Sequence, residues 1–226
     1  MSASARAILF DFGGTLDAEG IPWKERFYAL LGEEGIAVAR ERFDPAFYGA
    51  CDSLEGTIGE DAGFRDLVDG VASGLADRLG EDPGRLARVG DRFAQDALAQ
   101  LTASAALLSR LSERYRLGIV SNFYGNLESV CREVGLAPWL GVAIDSTVVG
   151  CKKPDARIFR AALDALGAAP EQAVFVGDSP SRDMAGARAL GMRHVWLRPG
   201  GAPVAAACCP DDVVIARLAD LEKVAL

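Results

Sequence analysis

Short apolar runs recur along the chain at residues 7–10, 117–120, 142–144, 173–176, 194–197 and 213–215. Each is too short for a helix and is bounded by glycine or polar residues, which reads as a buried β-strand. Helical periodicity fills most of the intervals, at 105–115, 126–134, 156–166 and 183–190. Buried strands alternating with helices predict a parallel sheet covered on both faces, an α/β fold of Rossmann-like type. One interval departs from this rhythm. Between Ile21 and Leu101 only helical spacing appears: Trp23, Phe27, Leu30 and Leu31 in one stretch, Phe64, Leu67, Val68, Val71, Leu75 and Leu79 in another, then Leu86, Val89, Phe93, Ala97 and Leu101. Pro22 and Pro83 stand where a first helical turn tolerates proline. The expected organisation is an α/β core over residues 1–17 and 102–226 and an all-helical cap over 18–101, long enough for a small core of its own.

In open parallel sheets ligands bind beyond the carboxyl ends of the strands, so the polar residues after each apolar run are the candidates for chemistry. Asp11, Gly13, Gly14 and Thr15 follow the first run, and Ser121 and Asn122 the second. Lys152 and Lys153 lie past the third, and Gly177, Asp178, Ser179 and Asp183 follow the fourth. Two carboxylates brought together are costly unless a cation separates them, and an all-oxygen set suits magnesium. Ser121 and Asn122 can donate to phosphate oxygens, and Lys153 brings charge to a transferring group. A carboxylate nucleophile forms an acyl phosphate that water then hydrolyses.

These segments resemble the haloacid dehalogenase superfamily. Its four motifs match Asp11-Phe12-Gly13-Gly14-Thr15-Leu16, Ser121-Asn122, Lys153 in Lys-Lys-Pro-Asp-Ala-Arg-Ile-Phe, and Val176-Gly177-Asp178-Ser179-Pro180-Ser181-Arg182-Asp183, in family order. The helical insert between the first two resembles the cap of one large branch. The resemblance implies Asp11 as nucleophile and metal ligand, with Lys153 and Ser121 beside it. Magnesium would be held by Asp11, the Gly13 carbonyl, Asp178 and Asp183. Gly14, Thr15, Ser121, Asn122 and Lys153 would bind the substrate's phosphate. The implied activity is a magnesium-dependent phosphatase acting on a phosphorylated small metabolite. Gly13 departs from the pattern: family phosphatases usually carry an acid-base aspartate there, worth about 10²–10⁴-fold in rate. That departure opens two alternatives, a phospho-ligand binding protein without turnover and a metal-independent 2-haloacid dehalogenase. Asp17 and Glu19 are the nearest acids that could replace the missing one, although acids at such positions are ordinarily solvated loop residues.

Composition narrows the partners. A formal net charge of -8 with no basic tract argues against nucleic acid. No window approaches the ~18 apolar residues of a membrane span, and no leader is evident, so a cytoplasmic protein is expected, its oligomeric state open. The five cysteines, Cys51, Cys131, Cys151, Cys208 and Cys209, show no zinc spacing and read as reduced thiols. His194 begins a strand and so belongs at the end of the sheet away from the site. Trp23, Arg26, Phe43, Phe47 and Tyr48 are expected in the cap core or on the cap side of the pocket.

Overall fold

The computed structural model describes residues 5–200 and 213–224. Cys208 and Cys209 lie outside the described residues. All six apolar runs are strands: β1 (Ala7–Phe10), β2 (Arg116–Ser121), β3 (Val142–Asp145), β4 (Ala173–Gly177), β5 (Arg193–Leu197) and β6 (Val213–Ile215). They form one parallel sheet in the order β3-β2-β1-β4-β5-β6. The chain winds from β1 through β2 to β3, then returns to place β4 on the other side of β1. That reversal opens a crevice at the carboxyl end of β1, where a parallel sheet places its ligand. β1 and β4 are buried along their whole length because helices cover both faces.

The insert is helical as its periodicity predicts: α1 (Trp23–Glu33), α2 (Arg40–Asp52), α3 (Phe64–Leu79) and α4 (Pro83–Ser112). Asp82 caps α4 by accepting from the Arg85 N–H at 2.9 Å, with Pro83 in the first turn. The structure differs from expectation in two respects. The helix foreseen at 105–115 is not separate; α4 runs unbroken for 30 residues, about 45 Å, from the insert into the core. Its buried stripe continues from Leu86 through Phe93 and Leu101 to Leu108, so nothing in the packing asks it to stop at residue 101. The insert also shares its hydrophobic cluster with one face of the sheet. Phe12, directly after the first strand, packs against Phe64 of α3 at 6.3 Å and Phe123 at 5.3 Å between ring centroids. Trp23, Phe27 and Phe93 extend that aromatic chain into the insert. The remaining helices, α5 (Leu127–Glu133), α6 (Ser146–Val149), α7 (Ala156–Leu166) and α8 (Ala185–Ala189), join the strands. Among the described residues no helix is long and apolar enough to cross a membrane.

Candidate active site

Asp11 leaves the end of β1, its N–H still bonded to the Val176 carbonyl of β4 at 2.9 Å. One carboxylate oxygen, Oδ1, receives three donors: the Phe12 N–H at 2.7 Å, the Ser121 hydroxyl at 2.8 Å and the Lys153 ammonium at 2.8 Å. Their convergence on Oδ1 fixes the side chain, while Oδ2 takes part in none of these contacts. Lys153 also lies 2.7 Å from Asp183 Oδ1, and all three side chains are buried. Burial opposes the Lys153 charge, but Asp11 and Asp183 outweigh it and raise the pKa of the amine.

Asp178 directly follows β4, and Asp183 lies on the helical turn Pro180–Met184 beyond it. The Asp183 Oδ2 accepts from the Ser179 N–H at 3.0 Å. A Cβ at Gly177 would stand 2.3 Å from that same oxygen, so the close approach admits no side chain there. Gly14 is constrained twice over: its φ is +91°, and a Cβ would lie 2.7 Å from Asp178 Oδ2. The Asp11, Asp178 and Asp183 carboxylates each present an oxygen within 4.8 Å of the others. Burial pushes Asp178 well above the ordinary carboxylate range, with Asp183 and Asp11 adding to it. Burial also raises Asp183, with Lys153 pulling it back. Three buried carboxylates with one lysine among them leave an excess of negative charge that a small divalent cation with oxygen ligands fits.

The sequence profile of haloacid dehalogenase-like hydrolases matches residues 5–191. The chain belongs to this family. Among curated relatives, a phosphoglycolate phosphatase of Rhodospirillum rubrum is 31% identical over 86% of this chain and 80% of its own length. A phosphoserine phosphatase of Thermus thermophilus is 45% identical over 92 residues, 41% of this chain; the match spans only 35% of that protein's length. Among solved structures, a hydrolase of the family from Bacillus subtilis, bound to magnesium, superposes with a TM-score of 0.62 at 23% identity, covering 98% of both chains. A dehalogenase with its intermediate complex gives 0.67 at 22%, covering 100% of both chains. At such identity the likeness is one of fold.

Within this haloacid dehalogenase-like site the expected residues come together, though several have other partners than foreseen. The Gly14 N–H donates to Asp17 Oδ1 at 2.7 Å. Asn122 brackets the lysine loop, its amide donating to the Lys153 carbonyl at 3.2 Å and its Oδ1 accepting from the Lys153 N–H at 2.7 Å. The Thr15 hydroxyl lies 3.4 Å from Asp178 Oδ1. Lys152 is turned away to the insert, where it bonds both Glu55 oxygens at 2.5 and 2.7 Å. His194 is at the start of β5, as expected, with Nδ1 3.2 Å from the Met192 carbonyl.

Asp17 overturns its expectation as a solvated loop acid. It is buried, accepts from the Trp23 indole N–H at 2.6 Å, and pairs with Arg26 at 3.0 Å. Burial raises it to about 6, against the pull of Arg26. Glu19 is half-buried and accepts from Gln100 and the Leu218 N–H. A cavity of about 540 Å³ opens over Asp11 between core and insert. Gly13, Trp23, Phe47 and Tyr48 line it, and neither Asp17 nor Glu19 does. Burial pushes the Cys51 thiol, at the cavity wall, up to about 11 and the Cys131 thiol up to about 12, which keeps both protonated near neutral pH. Cys151 is half-buried and unpaired. Sequence reading missed the Asp17–Trp23–Arg26 brace and the cavity-lining Arg182. The only signal for Arg182 was its place one residue before Asp183.

Proposed function

We propose that this protein is a magnesium-dependent phosphatase that transfers the phosphoryl group of a small phosphorylated metabolite to Asp11 and then to water. The observation that carries this reading is the arrangement of Asp11. Three donors hold Oδ1, and Oδ2 remains for attack at the floor of a cavity beside two further carboxylates. The phosphatases among its relatives support the same chemistry.

Asp11, Asp178 and Asp183, with the Gly13 carbonyl, would hold the magnesium ion. When bound it supplies charge neutralisation for the acidic cluster and for phosphoryl oxygens. Asp11 Oδ2 attacks phosphorus; the P–O bond to the leaving group breaks as the aspartyl–phosphate bond forms. Lys153 and Ser121 keep the carboxylate in line throughout, so little rearrangement accompanies the step. The departing oxygen takes its proton from water in the cavity, because position 13 carries no carboxyl group. Water then attacks phosphorus, releasing inorganic phosphate and restoring Asp11. Asn122 acts on the site by holding the Lys153 loop at both backbone groups.

A panel of phosphate monoesters assayed with magnesium, and again after chelation, tests this. Turnover that depends on magnesium and disappears in Asp11→Asn is expected, with beryllium fluoride trapping the wild type alone. Absence of turnover across the panel, together with metal-free turnover of a 2-haloacid, would overturn the reading in favour of dehalogenation. Ligand affinity without any covalent intermediate would favour a binding protein.

A further inference from the structure

The cations that line the cavity are not equivalent. Lys24 is paired with Asp44 at 2.9 Å, and Lys152 with Glu55. Lys153 is held at the floor between Asp11 and Asp183. Arg182 is different. Its Nε is anchored on the Ser179 hydroxyl at 3.2 Å, and no carboxylate among the described residues is in ion-pair contact with its guanidinium. Both terminal nitrogens are therefore available as a fork. Arg182 is also exposed as a residue, whereas Asp11, Lys153, Asp178 and Asp183 are all buried; its head, though partly desolvated, lines the cavity. It is within electrostatic reach of Asp11, Asp183 and Asp178 at the floor and, more weakly, of Tyr48 on the insert. Arg182 and Tyr48 of the insert line the same cavity over Asp11.

We infer that Arg182 is a specificity-determining residue that receives a carboxylate on the leaving-group side of the substrate, so that the preferred substrates are phosphate monoesters of small hydroxy acids. The inference rests on the phosphatase reading. A guanidinium held at Nε offers its two outer N–H groups to a planar carboxylate, which matches the fork in shape and in single charge. With a neutral leaving group the fork would act only on the charge of the buried acids below it, with no carboxylate at hydrogen-bond distance. The absence of an acid at position 13 fits the same picture, since a cation beside the leaving group stabilises negative charge developing there without transferring a proton.

Phosphoglycolate and ethyl phosphate share a two-carbon frame and differ in the carboxylate. With magnesium, wild-type kcat/KM is expected to favour phosphoglycolate by about 10- to 100-fold, the range of a charge-assisted hydrogen-bond pair. Arg182→Gln brings that ratio close to one, mainly through KM for phosphoglycolate, and Arg182→Lys recovers part of it. Equal turnover of the two esters by the wild type overturns the inference and leaves the phosphatase reading standing. So does a ratio retained in Arg182→Gln while both rates fall together, which would assign the guanidinium to the phosphoryl group. Turnover of neither ester overturns the inference and, if the wider panel is also inert, the proposed function with it.

Discussion

Gly13 is the residue on which the chemistry turns. A Cβ there would stand 3.1 Å from the Trp23 indole nitrogen, and the indole is itself held by Asp17 at 2.6 Å and covered by Phe93. A side chain at position 13 would thus crowd an indole from α1 by a few tenths of an ångström, and that indole is braced from behind. Gly13→Asp alone is accordingly expected to raise kcat on alkyl phosphates by less than about tenfold. Gly13→Asp combined with Trp23→Leu is expected to gain more, toward the 10²–10⁴-fold of general acid catalysis. Steady-state kinetics on esters of rising leaving-group pKa checks this: the double variant should be least sensitive to that pKa. A single variant that matched the double would show that the indole yields freely. The glycine itself is legible in the sequence. The indole that crowds it is not, because Trp23 lies ten residues on and is turned back by the packing of α1.

The elements divide the work between a rigid sheet and a helical insert joined to it at several points. Besides the aromatic chain of Phe12, Phe64 and Phe123, the Lys152–Glu55 pair links core and insert at the cavity wall. Its side chains are 51% and 32% exposed, and a pair this open contributes about 0–1 kcal/mol. Glu55→Gln is therefore expected to change KM for a phosphate ester by less than about fivefold and to move Tm by no more than about 4 °C. A larger KM effect would mean that this contact governs closure of the insert on the core. Periodicity predicts the helices here well, since each buries one stripe. It does not separate α4 into two because the same stripe serves insert and core in turn.

In the molecule as a whole, the acidic cluster makes stability depend on pH and on metal. Asp17, Asp178 and Asp183 all have carboxyl groups raised above their usual range, chiefly by burial. The folded protein therefore keeps protons that the unfolded chain releases. Without metal, stability falls as pH climbs above about 4, the unfolded carboxylate range. A bound dication removes the penalty at Asp178 and Asp183, so stabilisation by magnesium should increase from pH 5 to pH 7 in thermal melts. Asp178→Asn is expected to raise the metal-free Tm at pH 7, by about 2–4 °C for each kcal/mol relieved, and to abolish the magnesium-induced rise. A metal-induced rise that persists in this variant would show that the ion is held elsewhere.

The strands, the helical insert and the residues at the strand ends were all readable from the sequence. Burial imposes periodicity, and a parallel sheet brings the residues just past its strands to one edge. Asp11, Ser121, Lys153, Asp178 and Asp183 were found that way, and they do meet. The tertiary structure alone decided their partners. Asn122 turned to the Lys153 backbone, Gly14 to Asp17, and Lys152 to Glu55. Such choices depend on which donors and acceptors packing leaves within about 3 Å of each other. Asp17 shows the reason most plainly. In the sequence it is one more acid at the end of a motif; folded, it is buried between a tryptophan and an arginine that reach it only once α1 has docked.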